Sequence, residues 1–426
     1  MRAAGPRRQA PPELAGRKEE ALNYIGIDVS KEFHVAAVRR DTGAAVGETI
    51  EFANDEAGFS TLADQLAARG CDPSADLVAM ESTGHYWLAL WSYLAERGWR
   101  LSLINPLQTD AFRKASTVRK TKTDKVDAML IADFARFRAL EPSAMSPEDA
   151  DGLKQLTRYR THVVQERTGL MNRATALADR LFPELAGMFG GVKSKTFRAV
   201  LRELGTPAEI ASTDIRTVER VLRESGGGAF GRERAEELKS LARRSVGVRF
   251  ASGAFAFELS HVIDLIGRLD REVAEIEAEC AAILGRTPGS VLTSIPGIGT
   301  VTAASLAAEI GDPNRFDDPS KLFAFAGMDA AVKQSGKSNA AEVHMSKRGS
   351  SYLRYTLMQA ADNVRRFDPY FGDYYDEARA RGKHHYVALS GVARKLCGVV
   401  LALMKEQRAY ERRPSVQSAQ AKGGAS

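Results

Sequence analysis

Two carboxylates stand at the ends of two apolar runs near the start of the sequence. Asp28 follows Tyr24-Ile25-Gly26-Ile27, and Glu81 follows Asp76-Leu77-Val78-Ala79-Met80. Runs of this kind predict strands, and a carboxylate that ends an apolar strand needs a partner or a metal ion to offset its desolvation. If the two strands are neighbours in one sheet, Asp28 and Glu81 meet at one edge. Taken alone, each also fits a turn cap.

A second acidic pair lies in Thr121-Lys122-Thr123-Asp124-Lys125-Val126-Asp127-Ala128. Asp124 and Asp127 share one helix face, where like charges repel unless a cation lies between them. The pair also fits a capped helix start, but that alternative does not account for Asp28 and Glu81. Four carboxylates beside Lys and Arg predict a Mg²⁺ or Mn²⁺ site for phosphoryl transfer, in which His85 is a further ligand or a structural residue.

A glycine-rich turn and a polar loop carry the candidate chemistry of the C-terminal part. Gly297 and Gly299 precede a helical run and would expose backbone N–H groups to a nucleic-acid phosphate, although short glycine patterns are also plain helix starts. Ser335 lies in a loop where its hydroxyl could act as a nucleophile. The residues that could surround a phosphate there are Lys333, Lys337, Lys347, Arg348 and Arg354. Polar loops with Ser and Gly are common, so the residues alone leave this role open.

Charge is distributed unevenly along the chain. The formal net charge is +6, and eight Lys or Arg residues but only three Asp lie between Arg113 and Arg138. This basic stretch brackets the pair Asp124 and Asp127. It favours nucleic-acid contact, and a solvated surface fits it as well.

Composition excludes several classes of protein. A length of 426 residues suits more than one domain. No stretch approaches the roughly eighteen uncharged apolar residues of a membrane span, and residues 1–20 lack the apolar run of a secretory signal, so we expect a cytoplasmic protein without a membrane contact. Cys71, Cys280 and Cys397 are odd in number and far apart, which predicts buried thiols rather than a disulfide framework or a zinc cluster.

The order of the predicted elements indicates how the acidic residues are positioned. Apolar periodicity predicts strands at 24–29, 33–38, 48–52, 76–80 and 100–104, and helices at 56–69, 86–97 and 107–140. Three antiparallel strands followed by alternating helices and strands is the order of the ribonuclease-H-like α/β fold with a mixed sheet. In that fold the first and fourth strands are neighbours.

Heptad patterns predict two long helices in the middle of the chain. The first holds Leu156, Val163, Leu170 and Leu177, with Arg160 and Arg167 interrupting the neighbouring row. The second holds two uninterrupted rows, Val262-Leu269-Ile276-Ile283 and Leu259-Ile266-Val273-Cys280. We expect these helices to pair as a coiled coil, within the chain or between chains. Residues 183–250 between them predict a small helical insertion.

Taken together, the motifs resemble the DEDD transposases of the insertion sequence one-ten family and their Piv-type invertase relatives. The resemblance covers most of the chain and rests on residues 26–31, 81–84, 122–128, 295–299, 325–329, 334–337 and 347–349. The lead-in before Asn23 and the insertion at 183–250 depart from the pattern.

The resemblance implies a RuvC-like domain joined through a coiled coil to a smaller transposase domain. It implies that Asp28, Glu81, Asp124 and Asp127 hold Mg²⁺ or Mn²⁺ at the DNA phosphate while Ser335 attacks it and forms a phosphoserine. It also implies donor and target DNA, a structured bridge RNA as guide, and dimers that assemble to a tetramer on DNA. The basic residues expected to contact nucleic acid in the RuvC-like domain and the coiled coil are Arg119, Lys120, Lys122, Arg158 and Arg160.

The expected organisation is therefore in five segments. These are a disordered lead-in at 1–22, a RuvC-like domain at 23–148, a coiled coil with its insertion at 149–288, a mainly α-helical transposase domain at 289–412, and a disordered tail at 413–426. The alternative function is a metal-dependent RuvC-like junction-resolving nuclease without a covalent intermediate. A nucleic-acid-binding protein with an inactive site is disfavoured because all four acids are present.

Overall fold

A computed structural model of the protein describes residues 22–116, 123–143, 148–331, 334–335, 338–339 and 344–413. Of the described residues from 330 to 344, it describes only the backbone. The chain forms two compact units, one on each side of residues 145–146. The expected lead-in at 1–21 and the tail from 414 onward lie outside the described residues.

The first unit contains a five-stranded mixed sheet. Its strands are β1 Asn23–Asp28, β2 Phe33–Arg40, β3 Ile50–Ala53, β4 Leu77–Glu81 and β5 Arg100–Ile104, in the order β3-β2-β1-β4-β5. The first three strands are antiparallel, and β4 runs parallel to both β1 and β5. The predicted ribonuclease-H-like order is confirmed, with the first and fourth strands side by side.

Helices cover both faces of this sheet. They are α1 Glu56–Ala68, α2 Trp87–Glu96, α3 Pro106–Ser116 and α4 Asp124–Phe137. Ile25, Ile27 and Met80 pack with apolar residues of α1 and α2 on one face, and Tyr24, Leu77 and Ala79 pack with α4 on the other. Alternating sides along each strand therefore separate two apolar layers.

The helix expected over residues 107–140 is divided into α3 and α4. Thr123 has an extended backbone with φ of −144°, and its side chain accepts a hydrogen bond from the backbone N–H of Val126. This is the geometry of a helix N-cap. A new helix therefore begins at Asp124, which places both acids of the second pair in its first turn.

The second unit begins with two long helices that enclose a helical insertion. Its elements in chain order are α5 Glu148–Leu181, α6 Leu185–Phe189, α7 Lys195–Glu203, α8 Pro207–Ser212, α9 Ile215–Ser225, α10 Arg232–Arg243 and α11 Ser252–Leu284. The insertion has its own apolar core, which continues onto the adjoining ends of α5 and α11. Residues 183–250 therefore form a small helical bundle at one end of the helix pair.

The helices α5 and α11 pack antiparallel to each other within the chain. Arg160 pairs with Glu277 and Arg167 with Asp270, at 2.6 and 2.9 Å. The two arginines that interrupt the first heptad pattern thus form ion pairs between the helices. The apolar rows of α11 are largely buried, so pairing within the chain accounts for them.

The remainder of the second unit is mainly helical. Its elements are α12 Thr300–Ile310, α13 Pro319–Phe325, the short strands β6 Ala330–Ala331, β7 Gln334–Ser335, β8 Ser338–Asn339 and β9 His344–Met345, then α14 Ser351–Phe367, α15 Pro369–Ala380 and α16 His385–Glu406. Within the described residues α16 alone has the length and hydropathy of a membrane span, and 61% of its apolar window is buried inside the protein. It serves as a core helix of this unit.

All three cysteines are free and buried, as predicted. Burial raises the pKa of the Cys71 thiol to about 11 and that of Cys397 to about 12. Both therefore stay protonated at neutral pH and fill space in the core.

Candidate active site

Asp28 and Glu81 end adjacent parallel strands on the same side of the sheet. Ile27 lies opposite Met80 in the β1–β4 register, so Asp28 and Glu81 are the next residues at the carboxyl ends of the two strands. Side chains alternate along a strand, which places both acids on the face that Tyr24 and Ala79 share with α4. The sheet edge predicted from the sequence is therefore formed.

The helix α4 brings the other two acids to the same corner. Gly26 allows direct contact, because a Cβ at this position would lie 2.4 Å from the carbonyl oxygen of Ala128 and 2.2 Å from the nitrogen of Ala132. Tyr24, at the start of β1, packs with Phe134 near the end of α4. The helix thus runs antiparallel to β1, and its first turn lies toward the Asp28 end of the strand.

The helix α3 contacts two of the four carboxylates. The Thr109 hydroxyl donates to Oε1 of Glu81, and the Thr83 hydroxyl donates to Oε2 at 3.2 Å. Arg113 Nη2 lies 2.9 Å from Oδ1 of Asp127, whose side chain is only 9% exposed. Glu81 and Asp127 are therefore held by residues that the sequence reasoning did not identify.

The donor chemistry of this corner fits a divalent metal ion. Carboxylate oxygens are the hard ligands that Mg²⁺ and Mn²⁺ prefer. Oδ1 of Asp127 is buried, and in the described part of the chain its contact with Arg113 is an ion pair without the geometry of a hydrogen bond. Among the described residues, no three His, Cys, Asp or Glu side chains lie close enough together to bind a metal ion. Binding of a metal ion by these acids would therefore require a change in side-chain conformation. His85 packs against the Tyr86 ring, with centroids 4.4 Å apart.

In the second unit, backbone hydrogen bonds join the chain before and after residues 330–345, the serine segment, which contains Ser335. The strand β6 pairs with β9, and β7 pairs with β8, with Ser335 opposite Ser338. Below this ladder, the N–H of Lys347 donates to the carbonyl of Gly327 at 3.0 Å, and that of Ser350 to Phe325 at 3.0 Å. The two chain segments at 325–329 and 346–350 therefore run side by side and carry the serine segment.

Two glycines permit this close crossing. A Cβ at Gly349 would lie 1.9 Å from the carbonyl oxygen of Phe325, and one at Gly327 would lie 2.6 Å from the nitrogen of Gly349. Gly327 also has φ of +65°, a conformation that favours glycine. Lys347 has φ of +52°, which is a strained conformation for a residue other than glycine. It lies directly after the serine segment.

A buried acid links the coiled coil to the chain after the serine segment. Glu309 is 5% exposed, accepts from Arg158 Nε at 2.8 Å and Nη2 at 3.2 Å, and accepts from the Ser350 hydroxyl at 2.7 Å. The Arg158 guanidinium also lies 4.6 Å from the centre of the Tyr352 ring. Glu309 thus joins α5, α12 and the start of α14.

The other residues expected to contact nucleic acid have different surroundings. Arg160 is paired with Glu277, and Arg354 donates to the Ala326 carbonyl at 3.0 Å. Gly297 has φ of +92° and packs against Asn363, whereas nothing lies within 4 Å of a Cβ at Gly299. Lys347 and Arg348 are exposed. Arg119, Lys120, Lys122, Lys333 and Lys337 lie outside the described residues.

Replacing Glu309 by alanine is expected to destabilise the second unit by about 3 kcal/mol, because removal of one partner leaves the other charge of a buried pair uncompensated. Urea unfolding monitored by circular dichroism measures this loss. The paired substitution Arg158→Met with Glu309→Met should recover much of it, since neither charge then remains. The exposed pair Arg220–Glu224, at 2.9 Å, is the control, and Arg220→Ala should cost less than about 0.5 kcal/mol. An equal loss from Glu309→Ala and Arg220→Ala would contradict the structural importance of this contact.

Sequence signals for the missed residues were present but incomplete. Thr109 and Arg113 are four residues apart in a predicted helix next to the acidic pair, a spacing that places them on one face. Glu309 is a single acid in the apolar run Val301–Ile310, which indicates a buried charge with a partner. Neither pattern names the partner, because the contacts come from distant parts of the chain.

Comparison with known proteins gives matches in both units. Residues 25–183 match a family of DEDD transposases named after IS110, and residues 289–376 match the transposase IS116/IS110/IS902 family. A 43.6 kDa protein of insertion element IS110 from Streptomyces coelicolor is 26% identical over 93% of this chain and 97% of its own length. The putative mini-circle transposase for IS117 from the same organism is 26% identical over 75% of this chain and 79% of its own length. The pilin gene-inverting protein of Moraxella bovis is 25% identical over 92% of this chain and 98% of its own length.

Proposed function

The chain belongs to the IS110/IS116 family of transposases, and we propose that it cuts and rejoins the DNA of an insertion element with a DEDD metal site and a serine nucleophile. The observation that supports this most directly is the meeting of strand ends β1 and β4 with the first turn of α4 at one corner of the sheet. Four carboxylates there suit phosphoryl transfer on a nucleic acid.

The four acids have distinct environments within the proposed site. Asp28 and Glu81 are half-buried, Asp127 is buried, and Asp124 is exposed. A Mg²⁺ or Mn²⁺ ion held by these oxygens would polarise the scissile phosphate and stabilise its developing charge. Asp124 is the acid that is most accessible to a phosphate approaching from solvent.

Ser335 is the proposed nucleophile. Its Oγ–P bond forms as the P–O bond of the DNA breaks, the departing DNA oxygen takes up a proton, and the phosphodiester energy is kept for rejoining. Serine is a weak nucleophile at neutral pH, and no His or Asp lies within three residues of it. Activation must therefore come from elsewhere, and we propose that the DEDD acids and Ser335 act together at one phosphorus, with the two contributed by different subunits.

The proposed partners follow from the same assignment. Donor and target DNA are the substrates, a structured bridge RNA selects them, and dimers assemble to a tetramer on DNA in the cytoplasm. The exposed cations Lys347 and Arg348 support a phosphate contact near the serine segment. Because the apolar heptad rows pack against each other within the chain, contacts between subunits require other surfaces.

The RNA requirement is tested by comparing recombination with and without the noncoding RNA of the element. We expect recombination only with RNA. The logarithm of the RNA association constant should fall linearly with the logarithm of the salt concentration, with a slope of about −0.7 to −0.9 for each phosphate neutralised. Fluorescence anisotropy at several salt concentrations measures the slope, and the Arg158→Met with Glu309→Met variant reveals whether Arg158 contributes to it. Equal rate and specificity without RNA would refute the guide role but leave DNA cleavage intact.

A further inference from the structure

One face of α3 supplies both contacts to the DEDD carboxylates. Thr109 and Arg113 are four residues apart and hence on the same side of the helix. Between them, Phe112 packs on α4, with its ring 5.4 Å from Phe134 and 5.5 Å from Phe137. The helix is thus fixed against α4 while its other residues reach Glu81 and Asp127.

The contact between Arg113 and Asp127 is well shielded from water. Their side chains are 26% and 9% exposed, so the attraction between them is screened much less than that of a surface pair. A guanidinium in this position offsets the charge of Asp127 and the repulsion from Asp124 in the same helix turn. It therefore does part of what a metal ion would do.

We infer that α3 is the positioning helix of the metal site: Thr109 orients Glu81, and Arg113 neutralises Asp127 until a divalent metal ion displaces the guanidinium. This inference rests on the proposed function of the DEDD acids. The displacement would be an exchange of cations, in which Asp127 gives up its contact with the guanidinium and helps to hold the metal ion instead. The released guanidinium is then free to pair with a DNA phosphate, which its planar donors suit.

The arrangement explains why the described acids do not form a ligand cluster. Oδ1 of Asp127 is directed at Arg113, and both oxygens of Glu81 accept from threonine hydroxyls. An orienting contact to a ligand carboxylate is a common support of metal sites. Thr109 and Arg113 thus differ in effect, because Thr109 can stay in place when metal binds and Arg113 must leave.

The test is direct titration of the full-length protein with Mn²⁺, with free Mn²⁺ counted by electron paramagnetic resonance. We expect Arg113→Gln to bind Mn²⁺ roughly tenfold more tightly than wild type, because no charge-assisted contact has to be broken. Thr109→Val should bind more weakly, and Thr109→Ser should restore the wild-type affinity. Lys114→Gln is the matched control, since Lys114 pairs with exposed Asp110 on the same helix at 2.7 Å and its loss should change nothing.

Thermal unfolding provides a second measurement. Arg113→Gln should have a lower midpoint than wild type without metal and a larger rise on adding Mn²⁺, since the ion then fills the place of the lost cation. Arg113→Lys, which keeps the charge but not the fork, should lie between the two and serves if Arg113→Gln does not fold. Equal or weaker Mn²⁺ binding by the folded Arg113 variants would overturn the inference.

The outcomes separate this inference from the proposed function. If the Asp124→Ala protein binds Mn²⁺ as tightly as wild type does, the proposal of a DEDD metal site is wrong. If Asp124→Ala abolishes binding while Arg113→Gln behaves as wild type, the metal site stands and only the role of Arg113 fails.

Discussion

Asp124→Ala is expected to abolish DNA strand cleavage, with a rate loss of roughly a thousandfold or more, which corresponds to about 4 kcal/mol of transition-state stabilisation. The reason is that this acid lies in the first turn of α4, at the corner where β1 and β4 end. Because Asp124 is exposed, its loss costs the fold little. Cleavage of a labelled element end, followed on a denaturing gel with Mg²⁺ present, measures the effect.

The control is another acid of the same helix. Asp133 pairs with Arg39 at 3.4 Å, two turns further along α4, so Asp133→Ala removes the same charge without touching the proposed site. This variant should keep full cleavage activity, and both proteins should give the circular dichroism spectrum of wild type. Cleavage at the wild-type rate by a folded Asp124→Ala protein would exclude a metal role for this acid.

The sheet and two of its acids could be predicted because the signals are local. The runs before Asp28 and Glu81 are apolar and short, as buried strands are, and the element order allows few topologies. The division between α3 and α4 was missed because it depends on the cap at Thr123, a backbone conformation that helix propensity does not reveal.

Contacts between distant residues were beyond the reach of the sequence. The pairing of Arg158 with Glu309 joins positions 151 residues apart, and nothing in either neighbourhood names the other. Likewise, the heptads predict an apolar seam but not whether α5 meets α11 of the same chain. The structure shows pairing within the chain through contacts such as Arg167 with Asp270. It also shows that three arginines expected to contact nucleic acid, Arg158, Arg160 and Arg354, have partners inside the protein.

Ser335→Ala is expected to eliminate the covalent protein–DNA product, because no other hydroxyl then takes the place of the attacking oxygen. The alternative of a purely metal-dependent nuclease predicts no covalent product even with the wild-type protein, and it predicts unchanged cleavage by Ser335→Ala, since water would still attack and leave free DNA ends. The reaction is trapped with labelled DNA, and the attached residue is located by mass spectrometry. Ser338→Ala is the matched control, because Ser338 lies opposite Ser335 in the β7–β8 pair and loss of its hydroxyl should leave the adduct in place.

Mixing two inactive proteins then tests whether the site is shared between subunits. Ser335→Ala protein lacks the nucleophile and Asp124→Ala protein lacks one acid, yet an assembly of both contains sites with Ser335 from one subunit and a complete DEDD set from another. We expect covalent product to return to a fraction of the wild-type level, since only some of the mixed sites are complete. An adduct on any residue other than Ser335 would remove it as the nucleophile. No recovery in the mixture, although each protein binds RNA and DNA normally, would place both groups in the same subunit.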